Sequence, residues 1–183
     1  MKKLFFFVFL YCSQFVIGSA VAQTLFSTST GEISFYSSTP VEDISAVNKK
    51  VGSIINSDTR EVAVQMRITD FSFPNKLMQE HFNENYLESE KYPTASFRGK
   101  IIGNDDFSLP GDYSVKATGL MKIHGVEKPM DLIGKIHSDG KVLNLKVEFL
   151  IKLVDYKIEI PTLVFAKIAE EIQVKGTLDL LKK

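Results

Sequence analysis

The chain has 183 residues, of which 44% are hydrophobic, and it carries 22 basic and 22 acidic side chains. A net charge of zero gives no electrostatic reason to expect nucleic acid as a partner. The hydrophobic content, with only 11 Gly and 6 Pro, excludes a disordered chain. The single Cys, Cys12, excludes an internal disulfide framework and a Cys-rich zinc site. The length is that of one domain.

The first residues have the layout of a secretory signal peptide. Two lysines precede an apolar run at residues 4–17, and a small-residue A-x-A cleavage site ends at Ala22. The run is shorter than the ~20 apolar residues that cross a bilayer as a helix. We therefore expect a signal peptide at residues 1–22 and a domain at residues 23–183, with an uncleaved anchor as the alternative. We therefore expect the mature protein to be periplasmic and not to be stably inserted in the membrane after the signal peptide is cleaved.

Apolar and polar residues alternate with a period of two through most of the remaining chain, which predicts strands with one dry and one wet face. The apolar positions are Val62, Val64, Met66 and Ile68; Phe97, Gly99 and Ile101; Tyr113, Val115, Ala117, Gly119, Met121 and Ile123; Met130, Leu132, Gly134 and Ile136; Leu143, Leu145, Val147, Phe149, Ile151 and Leu153; and Ile172, Val174, Gly176, Leu178 and Leu180. Ile33–Phe35 and Val47–Ile54 bring the predicted total to about eight strands. Short separators rich in Asn, Asp, Gly and Pro favour antiparallel hairpins.

A sheet of that size with one apolar face must close on itself or pack against a second sheet. Closure removes exposed edges, and the glycines within the runs at positions 119, 134 and 176 are typical of bends or bulges. We predict an all-β fold, an extended antiparallel β-barrel of about eight strands with one or two short helices. A flatter sandwich is the alternative.

Two segments break the alternation. Asn75 to Tyr86 has the apolar spacing of an amphipathic helix, and Asn75 is its predicted N-cap. Pro161 to Ala169 is predicted to form a second short helix with proline in its first turn.

Catalysis, metals and cofactors receive no positive support from the residues. The chain lacks a G-x-S-x-G elbow and the glycine-rich phosphate-binding loops. His81 lies beside Glu80, with Glu84 one turn further on, and this is the one arrangement that suits acid–base or metal chemistry. A partly buried His81 that hydrogen-bonds locally is the alternative interpretation. His124 and His137 are predicted to be solvated surface residues.

Three motifs resemble those of the YceI-like family. Residues 81–99 are similar to the family segment that ends in K-Y-P-x-A-x-F, residues 119–128 resemble its G-x-L-T-I-H-G-V-T-K hairpin, and residues 155–161 resemble its D-Y-G-I-x-I-P stretch. The order and spacing agree, and the similarity extends from about residue 31 to 180. Lys157 stands where the third motif usually has Gly.

The resemblance implies a lipocalin-like barrel that holds an isoprenoid or another long-chain amphiphile in an apolar interior, often in the periplasm. Such a tail needs shape and dryness rather than polar contacts, since each buried methylene contributes ~0.8 kcal/mol. Strand parity and the family's fold together predict the ligand-binding residues. These are Met66, Ile68, Phe73, Phe82, Tyr86, Phe97, Tyr113, Met121, Phe149, Tyr156 and Phe165. Asp155 and Tyr156 are expected near a mouth, facing a polar head group.

The interior of an eight-stranded barrel either fills with side chains or holds one ligand. We therefore weigh three functions: a carrier, store or sequestering protein for a lipid, a ligand-free cell-envelope interaction module, and an enzyme that uses His81 with Glu80 or Glu84. The first is preferred, so we expect a binding protein rather than an enzyme, with no cofactor and no metal. The sequence leaves open the identity of the lipid and the oligomeric state, a homodimer included.

Overall fold

The computed structural model describes residues 24–160 and 168–183. Eight antiparallel strands form a closed barrel in which each strand pairs with the next and the last pairs with the first. The strands are β1 (Leu25–Ser38), β2 (Asp43–Asn56), β3 (Glu61–Arg67), β4 (Thr94–Ile102), β5 (Gly111–Ile123), β6 (Val126–Ser138), β7 (Val142–Lys152) and β8 (Glu171–Lys182). The predicted all-β barrel is confirmed, and the sandwich alternative is wrong.

The first two strands are much longer than the runs that the alternation indicated. The register between β1 and β2 shifts between Thr28 and Gly31 and again between Gly31 and Ile33. A β-bulge moves the following side chains to the other face of the sheet. Phe26 is consequently buried at an even position and Ile33 at an odd one, so a strict period of two does not extend through the strand.

The connection between β3 and β4 carries the helix predicted there. The helix α1 (Lys76–His81) begins after Asn75, whose side chain accepts hydrogen bonds from the backbone nitrogens of Leu77 and Met78 at 2.9 and 3.4 Å. The chain then continues through a wider helical turn at Phe82–Tyr86. The second predicted helix, Pro161 to Ala169, lies largely outside the described residues, as does the expected signal peptide.

The two ends of the barrel are built differently. One end, which we call the rim, carries the β1–β2, β3–β4, β5–β6 and β7–β8 connections. The other end, the floor, is filled by apolar side chains that are at most 1% exposed. These side chains, the floor cluster, are Phe26, Ile55, Phe107, Ile136, Leu143 and Leu180. The described side chains are therefore packed solidly at the floor.

Gly119 and Gly99 face each other where β4 and β5 pair. A Cβ atom on Gly119 would lie 2.3 Å from the carbonyl oxygen of Arg98 and 2.6 Å from the Cα of Gly99. Both are backbone atoms that cannot move aside without breaking the sheet. Glycine is therefore required at this point by the close approach of the two strands.

Candidate functional site

An apolar cavity of about 500 Å³ lies between the floor cluster and the rim. This volume falls within the ~300–1,000 Å³ of typical small-molecule sites. The inward faces of the strands form its wall, because alternate side chains on each strand point into the barrel. Its deepest lining residues are Val62, Ile101, Val115, Leu145 and Leu178.

Four phenylalanine rings form a cluster at the rim side of the cavity. Phe82 lies 5.5 Å from Phe35, 5.6 Å from Phe71 and 5.0 Å from Phe73, measured between ring centroids. Phe35 also lies 5.5 Å from Phe71 and 5.7 Å from Phe73. We call these residues the rim aromatic cluster. They attach the β3–β4 connection to β1, and all four rings border the cavity.

Among the described residues, the polar ones that border the cavity are confined to its rim side. Each belongs to a rim connection or lies within three residues of the rim end of its strand. They are Ser37, Glu42, Asn75, His81, Tyr86 and Ser96. Burial raises the pKa of the Tyr86 phenol above its ordinary value. The site thus has a hydrocarbon interior and a polar entrance side, which matches the two ends of an amphiphile.

Eight of the residues predicted to bind a ligand line this cavity. They are Met66, Ile68, Phe73, Phe82, Tyr86, Phe97, Met121 and Phe149. Their contact with a ligand stays a prediction. Phe165 lies outside the described residues.

Tyr113, also predicted to bind a ligand, does not border the cavity. Its side chain points inward, as the parity of β5 requires, but at the level of the floor. The ring packs edge-on against Phe107 at 5.3 Å, and the hydroxyl lies 3.0 Å from the carbonyl oxygens of Asp106 and Leu109. The even or odd position of a residue predicts which face of the strand it lies on, but not its position along the barrel axis between rim and floor.

Tyr156 and Asp155, expected near a cavity mouth, do not line the cavity. They belong to a single 3₁₀ turn, Leu153–Tyr156, which follows β7. Asp155 accepts a hydrogen bond from Lys128 Nζ at 2.6 Å, and Tyr156 is only 4% exposed. Neither residue borders the cavity, because the turn packs sideways against the β5–β6 hairpin.

His124, predicted to be a solvated surface residue, is largely buried, with 10% of its side chain exposed. Its Nδ1 lies 3.1 Å from the carbonyl oxygen of Tyr156, and its Nε2 lies 2.7 Å from Glu88 Oε2. The ring packs edge-on against Tyr92 at 4.6 Å. We call these four residues the motif junction, because they bring together the three segments that resemble the YceI-like family. Separations of more than 30 residues along the chain hid this cluster from pattern analysis.

The backbone of the motif junction explains two glycine preferences. Lys157 has a φ of 55°, in the left-handed region that glycine adopts most easily, which accounts for the usual Gly at this place in the family motif. Gly125 has a φ of 73°, and a Cβ atom there would lie 2.4 Å from the Tyr92 ring. The junction therefore depends on an unusual backbone as well as on hydrogen bonds.

His81 is exposed and borders the rim side of the cavity. It makes no hydrogen bond or ion pair within the described residues, so the expectation of a partly buried, locally bonded histidine is wrong. Glu80 and Glu84 are exposed as well. His137 is 65% exposed and lies 2.8 Å from Asp112, as expected for a surface residue. Across residues 24–160 and 168–183, no three His, Cys, Asp or Glu side chains are grouped closely enough to hold a metal ion.

An eight-stranded antiparallel barrel with a packed floor and an apolar cavity above it defines a lipocalin-like fold. A family model described as the YceI-like domain matches residues 12–180. The chain therefore belongs to the YceI-like family, as its three motifs indicated. No helix within the described part of the chain has the length and apolar character needed to span a bilayer.

Solved structures show the same fold. A polyisoprenoid-binding domain from Saccharophagus degradans, implicated in plant cell wall breakdown, is 15% identical with a TM-score of 0.77, covering 88% of this chain and all of that one. Burkholderia cenocepacia BcnA is 15% identical with a TM-score of 0.70, covering 81% and 95%. A Campylobacter jejuni YceI protein is 20% identical with a TM-score of 0.56, covering 100% and 99%. The comparison with curated proteins gives no significant match.

Proposed function

We propose that this protein is a non-enzymatic binding protein that holds an isoprenoid-like or other long-chain amphiphilic lipid inside its barrel, as a carrier, store or sequestering protein. The observation that carries the proposal is the apolar cavity of about 500 Å³ with its polar residues confined to the rim side. A structurally similar domain is described as polyisoprenoid-binding, which supports the same class of ligand.

The energetics of the cavity favour a hydrocarbon over water. Water in a cavity needs two to four polar partners, and the deep wall is built from aliphatic and phenylalanine side chains. Each methylene that enters contributes ~0.8 kcal/mol, so ten buried carbons give roughly 8 kcal/mol before the costs of association. A polar head group remains at the rim side, where hydroxyl, amide and carboxylate groups border the cavity.

The location is part of the proposal. The lysine pair, the apolar run and the A-x-A site before Gln23 support export to the periplasm and removal of residues 1–22. Cell fractionation, with the mass of the mature protein, tests this. An intact amino terminus on a cytosolic protein would contradict it.

An enzymatic role has less support. His81, Glu80 and Glu84 are all exposed, so no buried environment or described hydrogen bond prepares the histidine for acid–base work. The cavity offers hydrocarbon contacts instead.

Extraction of native protein tests lipid binding. We expect organic extraction and mass spectrometry to recover about one amphiphile per protein. The variant Ala117→Phe places a ring in the cavity and should lose most of this lipid. Leu120→Phe adds a ring on the outer face of the same strand, where Leu120 is 44% exposed, and should retain it. The absence of lipid from the native protein, or equal lipid in both variants, would overturn the proposal.

A further inference from the structure

We propose that the floor cluster sets the maximum length of the hydrocarbon chain that the cavity accepts, and that Phe107 is the residue that determines this limit. The inference rests on the proposed function, because it concerns which lipids the same cavity selects.

The cavity stops at one level on four consecutive strands. On β5, Val115 borders the cavity and the next inward residue, Tyr113, does not. The same change occurs from Gly134 to Ile136 on β6, from Leu145 to Leu143 on β7, and from Leu178 to Leu180 on β8. A chain in the cavity therefore meets the inward side chains of these four strands at this level.

A buried ring from outside the strands supports this layer, because Phe107 packs edge-on against Tyr113 at 5.3 Å. Phe107 comes from the β4–β5 connection at residues 103–110 and is fully buried. It is the one member of the floor cluster that lies outside the barrel wall. Its substitution changes the floor while leaving the hydrogen-bonded ladders of the wall in place.

Several contacts hold Phe107 in position. Its carbonyl oxygen accepts a hydrogen bond from the buried hydroxyl of Ser138 at 2.8 Å. The Tyr113 hydroxyl lies close to carbonyl oxygens on both sides of Phe107. Asp106 accepts hydrogen bonds from the backbone nitrogen and hydroxyl of Ser108 at 2.9 and 2.6 Å. The loop is thus fastened to the floor, and a ligand cannot push it aside without breaking these contacts.

A fixed floor predicts a particular dependence of affinity on chain length. Every carbon that enters the cavity adds to affinity through burial of apolar surface. Once the chain reaches the floor, further carbons stay at the rim in water and add little, because forcing them into a packed core is unfavourable. Affinity should therefore rise with length and then level off.

The experiment measures the chain length at which affinity levels off. A series of prenyl alcohols, from geraniol and farnesol through geranylgeraniol to longer polyprenols, is titrated into delipidated full-length mature protein. Phe107→Ala removes six side-chain carbons, so the plateau should move to a chain about one five-carbon isoprene unit longer. Val115→Phe adds a ring at the deepest point of the cavity and should move the plateau to a shorter chain. Leu109→Ala, on the same loop but 57% exposed, should leave it unchanged.

The outcomes separate the two claims. If the wild-type protein binds no member of the series, the isoprenoid form of the proposed function fails, and the length limit fails with it. If it binds and the plateau stays in place in folded Phe107→Ala, the role of Phe107 is overturned. If the plateau also stays in place in Val115→Phe, the whole floor inference is overturned while the proposed function stands. Circular dichroism establishes that each variant is folded. Should Phe107→Ala not fold, Val115→Phe decides, since an unmoved plateau in that variant also overturns the inference.

Discussion

The Nε2 atom of His124 lies 2.7 Å from Glu88 Oε2, which joins the tip of the β5–β6 hairpin to the end of the β3–β4 connection. The second ring nitrogen faces the carbonyl oxygen of Tyr156 in the β7–β8 connection. The carboxylate oxygen of Glu88 and the carbonyl oxygen of Tyr156 can each accept a hydrogen bond from a ring nitrogen. Leu87, next to Glu88, borders the cavity, so this contact fixes part of the cavity wall.

Replacing His124 with Ala should destabilise the protein and loosen the connection that carries α1. The substitution removes two hydrogen bonds and the packing against Tyr92, for an expected loss of about 1–3 kcal/mol in the free energy of unfolding by urea. Hydrogen exchange in residues 82–93 should become faster. His137→Ala, at an exposed pair, should change stability by no more than ~0.5 kcal/mol. Equal effects of the two substitutions would contradict the structural importance of the motif junction.

Phe82→Ala should weaken both the fold and the retention of lipid. Phe82 contacts three other rings at 5.0–5.6 Å and attaches the helical connection to β1. Loss of a partly buried ring with these contacts is expected to lower the free energy of unfolding by about 2–4 kcal/mol. Bound lipid should also dissociate faster in a transfer assay to vesicles. Phe82→Leu, which keeps most of the apolar volume, is the matched control, and an unchanged dissociation rate in Phe82→Ala would count against the proposed role.

Gly119→Ala should be far more damaging than Gly52→Ala, although both glycines lie within strands. A Cβ atom on Gly119 would lie 2.3 Å from a backbone oxygen, which implies a cost of about 1–3 kcal/mol. At Gly52 the nearest atom would lie 3.7 Å away, an ordinary contact, so alanine should be neutral or stabilising by up to ~1 kcal/mol. Urea denaturation of the two variants gives the comparison. If Gly119→Ala lowers the free energy of unfolding no more than Gly52→Ala does, β4 and β5 can separate to accept a side chain.

Stability should fall at alkaline pH through Tyr156. Burial raises the pKa of this phenol, and the neighbouring Asp155 carboxylate raises it further. A raised pKa means that the folded state favours the neutral phenol. The resulting stability is fully present below the ordinary tyrosine pKa of about 10 and is lost as the pH rises through the folded value. Tyr156→Phe should show a smaller loss of stability above pH ~10, and a tyrosinate absorbance titration of the wild type should show late-ionising groups, Tyr86 included. A wild type in which every tyrosine ionises at the ordinary pKa would refute this.

Alternation along the strands predicted the barrel and the inward position of cavity residues such as Met66, Phe97 and Phe149. Phe73, Phe82 and Tyr86 lie in the β3–β4 connection, and their prediction depended on the family resemblance. The face of each residue follows from a period of two, and the burial of one face only requires closure. The position of a residue along the barrel axis has no comparable pattern in the local sequence. Tyr113 has the parity of a lining residue but sits in the floor, because its strand begins there and a loop folds Phe107 onto it.

Contacts between distant segments explain the remaining errors. His124 follows a strand at a tight turn, a position that is usually solvated, and only the folding of two other connections against the hairpin buries it. At Lys157 the sequence marked the unusual position correctly, and the structure explains why it is unusual. The family motif identifies its position as one that favours glycine, and the structure supplies the reason in a φ of 55°.

Pairing of the first strand with the last has a consequence for how the molecule assembles. β1 and β8 hydrogen-bond along both halves of their length, from Phe26 with Lys182 to Tyr36 with Gln173. Because β8 is the last strand, nearly the whole domain must be synthesised before the barrel can close. Until the barrel closes, the unpaired edge of β1 exposes backbone hydrogen-bonding groups that can pair with other chains. A nascent chain that shields this edge, by delay of folding or by a chaperone, would reach its final form with fewer aggregates.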